Sequence, residues 1–184
     1  YIGTGQDPEH SKGVGHLWCI DITKKPKNKD KDLSPRDDNF DPRAPVNKDS
    51  GLVWHYGGPA GEDDERNYLF GRTLSTCSVH DGLVYAADFD GVVYCLDART
   101  GKKYWEHDTG ADTWSSPYWV DGKVLIGNET GTLFIFKHGK KKDLIAKIES
   151  PGRETKIRAT PVVVNGVLYL MTEDPCKLYA IAAK

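Results

Sequence analysis

Methionine occurs once in 184 residues, and no stretch sustains a capped 3.6-residue apolar period, so no substantial helix is expected. Apolar runs are about five residues long, as in Val167 to Met171, far short of the roughly 18 that a membrane-spanning helix needs. Excess charge of either sign is missing too. Lys plus Arg is 25 against 27 Asp plus Glu, a net charge of −2, which gives no electrostatic case for nucleic acid or an anionic membrane surface. The chain has no C-x-x-C, no adjacent cysteine pair, no G-x-S-x-G, no H-E-x-x-H and no P-loop pattern. Cys19, Cys77, Cys95 and Cys176 leave three pairings open if all are oxidised, and sequence does not choose among them.

Turn formers are abundant instead, with 19 Gly and 10 Pro. They fall into a repeat of about forty residues. Ser75-Thr76-Cys77, Ser115-Ser116-Pro117 and Ala159-Thr160-Pro161 open three copies, at separations of 40 and 44 residues. Asp81-Gly82, Asp121-Gly122 and Asn165-Gly166 follow at the same separations. Such dipeptides suit type I′ hairpin turns, where both central residues need positive φ. After each comes an apolar strand, a second turn and another apolar strand, ending in Val92–Leu96, Thr132–Phe136 and Leu178–Ile181. The strands show little polar alternation, as expected of sheets covered on both faces. Four short antiparallel strands per 40 to 45 residues describe one blade of a β-propeller, an all-β fold.

A degraded copy comes first, with Tyr1–Thr4 as a second strand and His16–Asp21 as a third. The insertion from Thr23 to Ser50 holds eight Lys/Arg, six Asp and four Pro, too polar to order itself through burial. The expected organisation is one partial propeller domain over 1–184. Blade 1 spans 1–56 with the insertion at 23–50, and 57–73 is a connection. Blade 2 spans 74–110, blade 3 spans 111–152, and blade 4 spans 153–184 without its outer strand. Blade 1 lacks its innermost strand in this reading, which gives fourteen strands: two complete and two partial blades.

One constellation is specific. Cys95-Leu96-Asp97-Ala98-Arg99-Thr100-Gly101-Lys102-Lys103-Tyr104-Trp105 follows A-x-D-x-x-x-G-x-x-x-W with Cys for the first Ala. Asp ends a strand and holds turn amides, Gly takes positive φ, and Trp starts the outer strand with a large apolar ring. Cys19-Ile20-Asp21 and Gly51-Leu52-Val53-Trp54 repeat the pattern on either side of the insertion. The third copy departs from it, with Lys137 for Asp and Ile145 for Trp.

This pattern resembles the tryptophan-docking motif of the pyrroloquinoline quinone (PQQ) type propeller repeat, found in quinoprotein dehydrogenases and BamB-like outer-membrane assembly lipoproteins. The runs Gly3–His10, His16–Asp21 and Arg72–Thr76 are most similar to PQQ-like repeat proteins of planctomycete-type bacteria. The resemblance implies an exported protein, periplasmic, at the cell surface or extracellular. It also implies a seven- or eight-bladed ring, of which this chain would be the C-terminal half, completed by the N-terminal half or by another chain. Asp21, Gly51, Trp54, Asp97, Gly101 and Trp105 are its expected docking residues.

Three functions are compatible with such a ring. The first is a non-catalytic scaffold or protein-interaction module. The second is the C-terminal half of a PQQ- and Ca²⁺-dependent alcohol dehydrogenase, whose catalytic Asp and Ca²⁺ ligands match no position here. For a cofactor, Arg72, Trp114 and Arg158 precede successive inner strands and suit an anionic planar ligand; equally, the arginines suit pairing with Asp112 or Glu154. The third is a metal-binding propeller, with Asp7, Glu9, His10 and His16 within ten residues as candidate ligands, or as members of a solvated hairpin.

Overall fold

The computed structural model of the chain describes residues 1–5, 12–25, 50–61, 66–151 and 155–182, and among these there is no helix. Its elements form four antiparallel sheets in chain order. The first comprises β1 (Ile2–Gly5), β2 (Gly15–Ile20), β3 (Leu52–Pro59) and β4 (Tyr68–Phe70). The second comprises β5 (Ser78–His80), β6 (Leu83–Ala87), β7 (Val92–Asp97) and β8 (Lys103–Asp108). The third comprises β9 (Tyr118–Val120), β10 (Lys123–Gly127), β11 (Thr132–Lys137) and β12 (Leu144–Glu149). The last has three described strands, β13 (Val162–Val164), β14 (Val167–Thr172) and β15 (Lys177–Ala182).

The hairpin dipeptides do what their chemistry requires. Asp81 and Gly82 have φ of 43° and 73°, Asp121 and Gly122 46° and 71°, and Asn165 and Gly166 51° and 75°. Short polar side chains and glycine tolerate this left-handed region, so each turn closes in two residues and fixes the register, as in His80↔Leu83. The following turn has its own device. Asp88 Oδ1 accepts from Val92 N at 3.0 Å, and Asn128 Oδ1, 40 residues on, accepts from Thr132 N at 3.0 Å. Both side chains are fully buried, and Tyr94 OH donates to Asp88 Oδ2 at 2.7 Å.

The structure departs from the sequence expectation in the 57–73 connection. There β3 runs on to Pro59, and β4 pairs with it through Gly58↔Phe70 and Pro59↔Tyr68. The first sheet therefore has a fourth strand on its β3 edge, and the described strands number fifteen. The Gly57-Gly58-Pro59 run reads as a breaker; here the glycines take φ of 122° and 91° around a β-bulge.

Packing divides the chain into two compact units, Tyr1–Thr73 with Arg99–Gly101, and Leu74–Ala98 with Lys102–Lys184. In the second, strand alternation sends side chains into two different cores. Val124, Ile126, Phe134 and Phe136 face the second sheet, packing with Leu83, Tyr85, Val93, Cys95 and Trp105. Leu125 and Leu133, one residue out of phase, face the last sheet with Ile157 and Leu170. Each strand serves both neighbours, which is why its sequence is apolar throughout. Burying each such side chain stabilises by roughly 1.5–3 kcal/mol.

Candidate functional site

Trp54 and Trp105 are 7% and 6% exposed. Trp105 pairs with Cys95 across β7–β8, and Trp54 pairs with Cys19 across β2–β3, each beside a bulge at the same register. Trp105 Nε1 donates to the carbonyl oxygen of Gly139, in the turn of the third sheet, at 3.0 Å. Trp54 lies against Gly101, which has φ of 72°; a Cβ there would sit 2.7 Å from the indole. Asp97 N donates to Lys102 O at 2.9 Å, and Asp21 N to Gly51 O at 2.7 Å, so the two flanks of the long insertion meet. Asp21 also accepts from Thr23 Oγ1 at 2.7 Å and Thr23 N at 2.9 Å, bonds that hold its carboxyl below the usual range. In the third sheet the turn is one residue longer, closing Lys137 N on Asp143 O. Ala146, not Ile145, therefore faces Ile135 where a tryptophan faces cysteine in the other two.

At the starts of the inner strands, hydroxyls link successive sheets. Thr76 N donates to Ser116 Oγ at 2.9 Å, and Ser116 N to Thr160 Oγ1 at 3.1 Å. Beside them the structure brings two of the three candidate cofactor residues together. The Arg158 guanidinium lies 4.6 Å over the Trp114 ring. Of the two acidic partners the sequence offered, Glu154 lies outside the described residues, and two other carboxylates hold the guanidinium. Glu129 Oε1 takes Arg158 Nη2 at 2.5 Å and Nε at 2.7 Å, while Glu173 Oε2 lies 3.1 Å from Nη1. Phe89 meets the Trp114 ring edge-on, with centroids 5.3 Å apart. Arg72 belongs to the first unit, is 8% exposed, and donates from its backbone N to Gly13 O at 3.0 Å.

Sequence reading missed Glu129 and Glu173, yet the repeat contained them. Phe89, Glu129 and Glu173 are separated by 40 and 44 residues, as are Leu74, Trp114 and Arg158. Phe89–Trp114 and Glu129–Arg158 are therefore one relationship between adjacent sheets, aromatic in one copy and ionic in the next. One guanidinium between two carboxylates leaves a net charge of −1. The cluster does not fit an anionic quinone, since its cation is already engaged. Among the described residues no three His, Cys, Asp or Glu side chains group to hold a metal ion.

Of the four candidate metal ligands, Asp7, Glu9 and His10 lie outside the described residues. His16, on β2, is 4% exposed, and its Nδ1 lies 3.0 Å from His55 Nε2 on β3. Burial is the main cause that lowers His55 to a pKa of about 4, with His16 second, so this imidazole is neutral at pH 7. The four cysteines are free, Cys95 buried and Cys176 exposed. Burial pushes the Cys77 thiol up to about 11 and the Cys95 thiol up to about 12, well away from a reactive thiolate.

Comparison with known proteins decides the family. The model described as "Outer membrane protein assembly factor BamB" matches residues 45–181. The chain belongs to this PQQ-type propeller family. Its four sheets are blades of a β-propeller. BamB from Moraxella catarrhalis has a similar fold, with a TM-score of 0.53 at 20% identity, covering 67% of this chain and 34% of that one. Two curated relatives are each 32% identical. One is 1-butanol dehydrogenase (cytochrome c) of Thauera butanivorans, over 82 residues and 41% of this chain. The other is quinohemoprotein alcohol dehydrogenase ADH-IIG of Pseudomonas putida, over 87 residues and 44% of this chain. The match spans 12% of the length of each dehydrogenase.

Proposed function

We propose that this chain is a non-catalytic propeller module of an exported protein, serving as a scaffold for other protein chains. The observation that carries this reading is the closed state of Arg158. The cation best placed for a cofactor is held by Glu129 and Glu173 and stacked on Trp114. It acts as a staple between the third and fourth blades. Trp54 and Trp105, with Asp21, Gly51, Asp97 and Gly101, are the docking residues that set blade spacing in this reading.

The last blade supports the need for a partner. Val163, Leu168 and Tyr179 turn inward, while Val162, Val164, Tyr169, Met171 and Leu178 form the opposite face, with Leu178 68% exposed. The middle blade of the second unit uses both its faces as cores, so a further sheet, from the same polypeptide or another chain, covers this one.

A second reading has one observation in its favour, the 32% identity to two alcohol dehydrogenases. In it the chain is part of a PQQ- and Ca²⁺-dependent dehydrogenase. Dye-linked alcohol oxidation separates the two. With added PQQ and Ca²⁺ the scaffold gives no turnover; alcohol-dependent dye reduction establishes the dehydrogenase.

A further inference from the structure

We propose that His16 and His55 form a two-imidazole site for a late first-row divalent cation, Cu²⁺ or Zn²⁺, bound through His16 Nδ1 and His55 Nε2. Geometry carries this. The two nitrogens are 3.0 Å apart. Two imidazoles on one ion at metal–nitrogen distances of about 2.0–2.1 Å, at angles between square and tetrahedral, hold their nitrogens about 2.9–3.4 Å apart. The separation of the two nitrogens already falls in that range.

The sequence builds this juxtaposition with one register and one glycine. His16 faces Gly57, and Trp18 faces His55, across the β2–β3 pair, so all four positions share a sheet face. Gly57 puts no side chain opposite His16, and a Cβ there would be 2.5 Å from Gly15 O. His16 therefore leans along the face toward His55. Trp18 fixes His55 from the other side, with ring centroids 4.2 Å apart. Trp18 is itself held by its indole N–H, which donates to Thr4 Oγ1 on β1 at 3.0 Å. Three strands thus orient the two ligands before any ion arrives, the preorganisation that a metal site requires.

Binding needs no redox step. Two nitrogen lone pairs form dative bonds to the cation. The hydrogen shared between the rings moves to the donor ring's other nitrogen, and water completes the shell. Among the described residues no third protein ligand joins the pair. Imidazole donors suit Cu²⁺ and Zn²⁺ over Ca²⁺ or Mg²⁺.

Cu²⁺ is the probe. The protein, purified without chelator and loaded with one equivalent of CuSO₄, is examined by electron paramagnetic resonance and by competition with Zn²⁺. The expected spectrum shows superhyperfine coupling to two nitrogens and is displaced only by a large excess of Zn²⁺. His16→Gln and His55→Gln each lower affinity by at least about tenfold, while His80→Gln, on another blade, leaves it unchanged. Copper lost on dialysis overturns the proposal. So does an oxygen-only signal in the unaltered protein, a readout that holds even where a variant fails to fold. Retention of the two-nitrogen signal by both folded variants also overturns it.

Discussion

The indole N–H of Trp105 donates to the carbonyl oxygen of Gly139 at 3.0 Å, so a side chain of one blade closes a backbone valence in the turn of the next. Its ring also packs against Phe136 of that blade, at 5.3 Å between centroids. One residue thus supplies apolar burial and a directional bond across the same seam. Trp105→Ala should cost about 3–5 kcal/mol, and Trp105→Phe should recover most of it except the bond, about 1 kcal/mol. Urea titration of the three proteins checks the order. Equal midpoints for the unaltered protein and Trp105→Ala would remove the tryptophan from any docking role.

Gly101 and Gly82 make a matched pair. Their φ values are 72° and 73°, but a Cβ at Gly101 meets the Trp54 ring at 2.7 Å, whereas at Gly82 nothing lies within 4 Å. Gly82→Ala should cost only the left-handed backbone penalty, about 1–2 kcal/mol. Gly101→Ala should cost about 1–3 kcal/mol more, because the indole is buried and cannot retreat cheaply. Identical losses in thermal unfolding would mean that Trp54 does not sit on that turn.

Much of this arrangement was legible in the sequence because its causes are local. Asp81-Gly82 and its two counterparts announce two-residue turns through backbone sterics alone, and the strands between them follow. The Asp–Gly–Trp spacing needs only one turn and one strand start. Less was legible where the cause lies between repeats. Glu129 is a charged residue after a strand until it is set opposite Arg158, which the repeat register does and proximity in sequence does not. His55 escaped notice because its partner is 39 residues away across the insertion, a separation that no local motif spans. β4 was hidden by Gly57-Gly58-Pro59, a breaker in most contexts and a bulge here.

Glu129 and Arg158 should be coupled. Their side chains are 22% and 31% exposed, which places the pair between a screened surface bridge and a buried one. A double-mutant cycle with Glu129→Gln and Arg158→Ala should give about 1–2 kcal/mol. A value near zero would make the contact incidental and leave Arg158 available to a ligand.

Acid should weaken the fold through His55. Its folded pKa, about 4, lies below the ordinary 6.5 because burial disfavours the imidazolium. Between those values the unfolded chain binds a proton that the folded chain refuses, so stability present above pH 6.5 is lost as pH falls toward 4. His107 and His138 are lowered as well, burial again the largest cause, and add to the same trend. Denaturant midpoints recorded from pH 7.5 to 4.5 should fall, and His55→Gln should flatten part of that slope. A slope unchanged by His55→Gln would place the acid sensitivity elsewhere.

The most direct test of the scaffold reading is equilibrium titration with PQQ in the presence of Ca²⁺, followed by tryptophan fluorescence and by dialysis. With Arg158 closed by Glu129 and Glu173, the unaltered protein should show no saturable uptake, and Arg158→Ala should behave identically. Stoichiometric, saturable binding to the unaltered protein, abolished in Arg158→Ala, would contradict the account and make this chain the cofactor-binding part of a dehydrogenase.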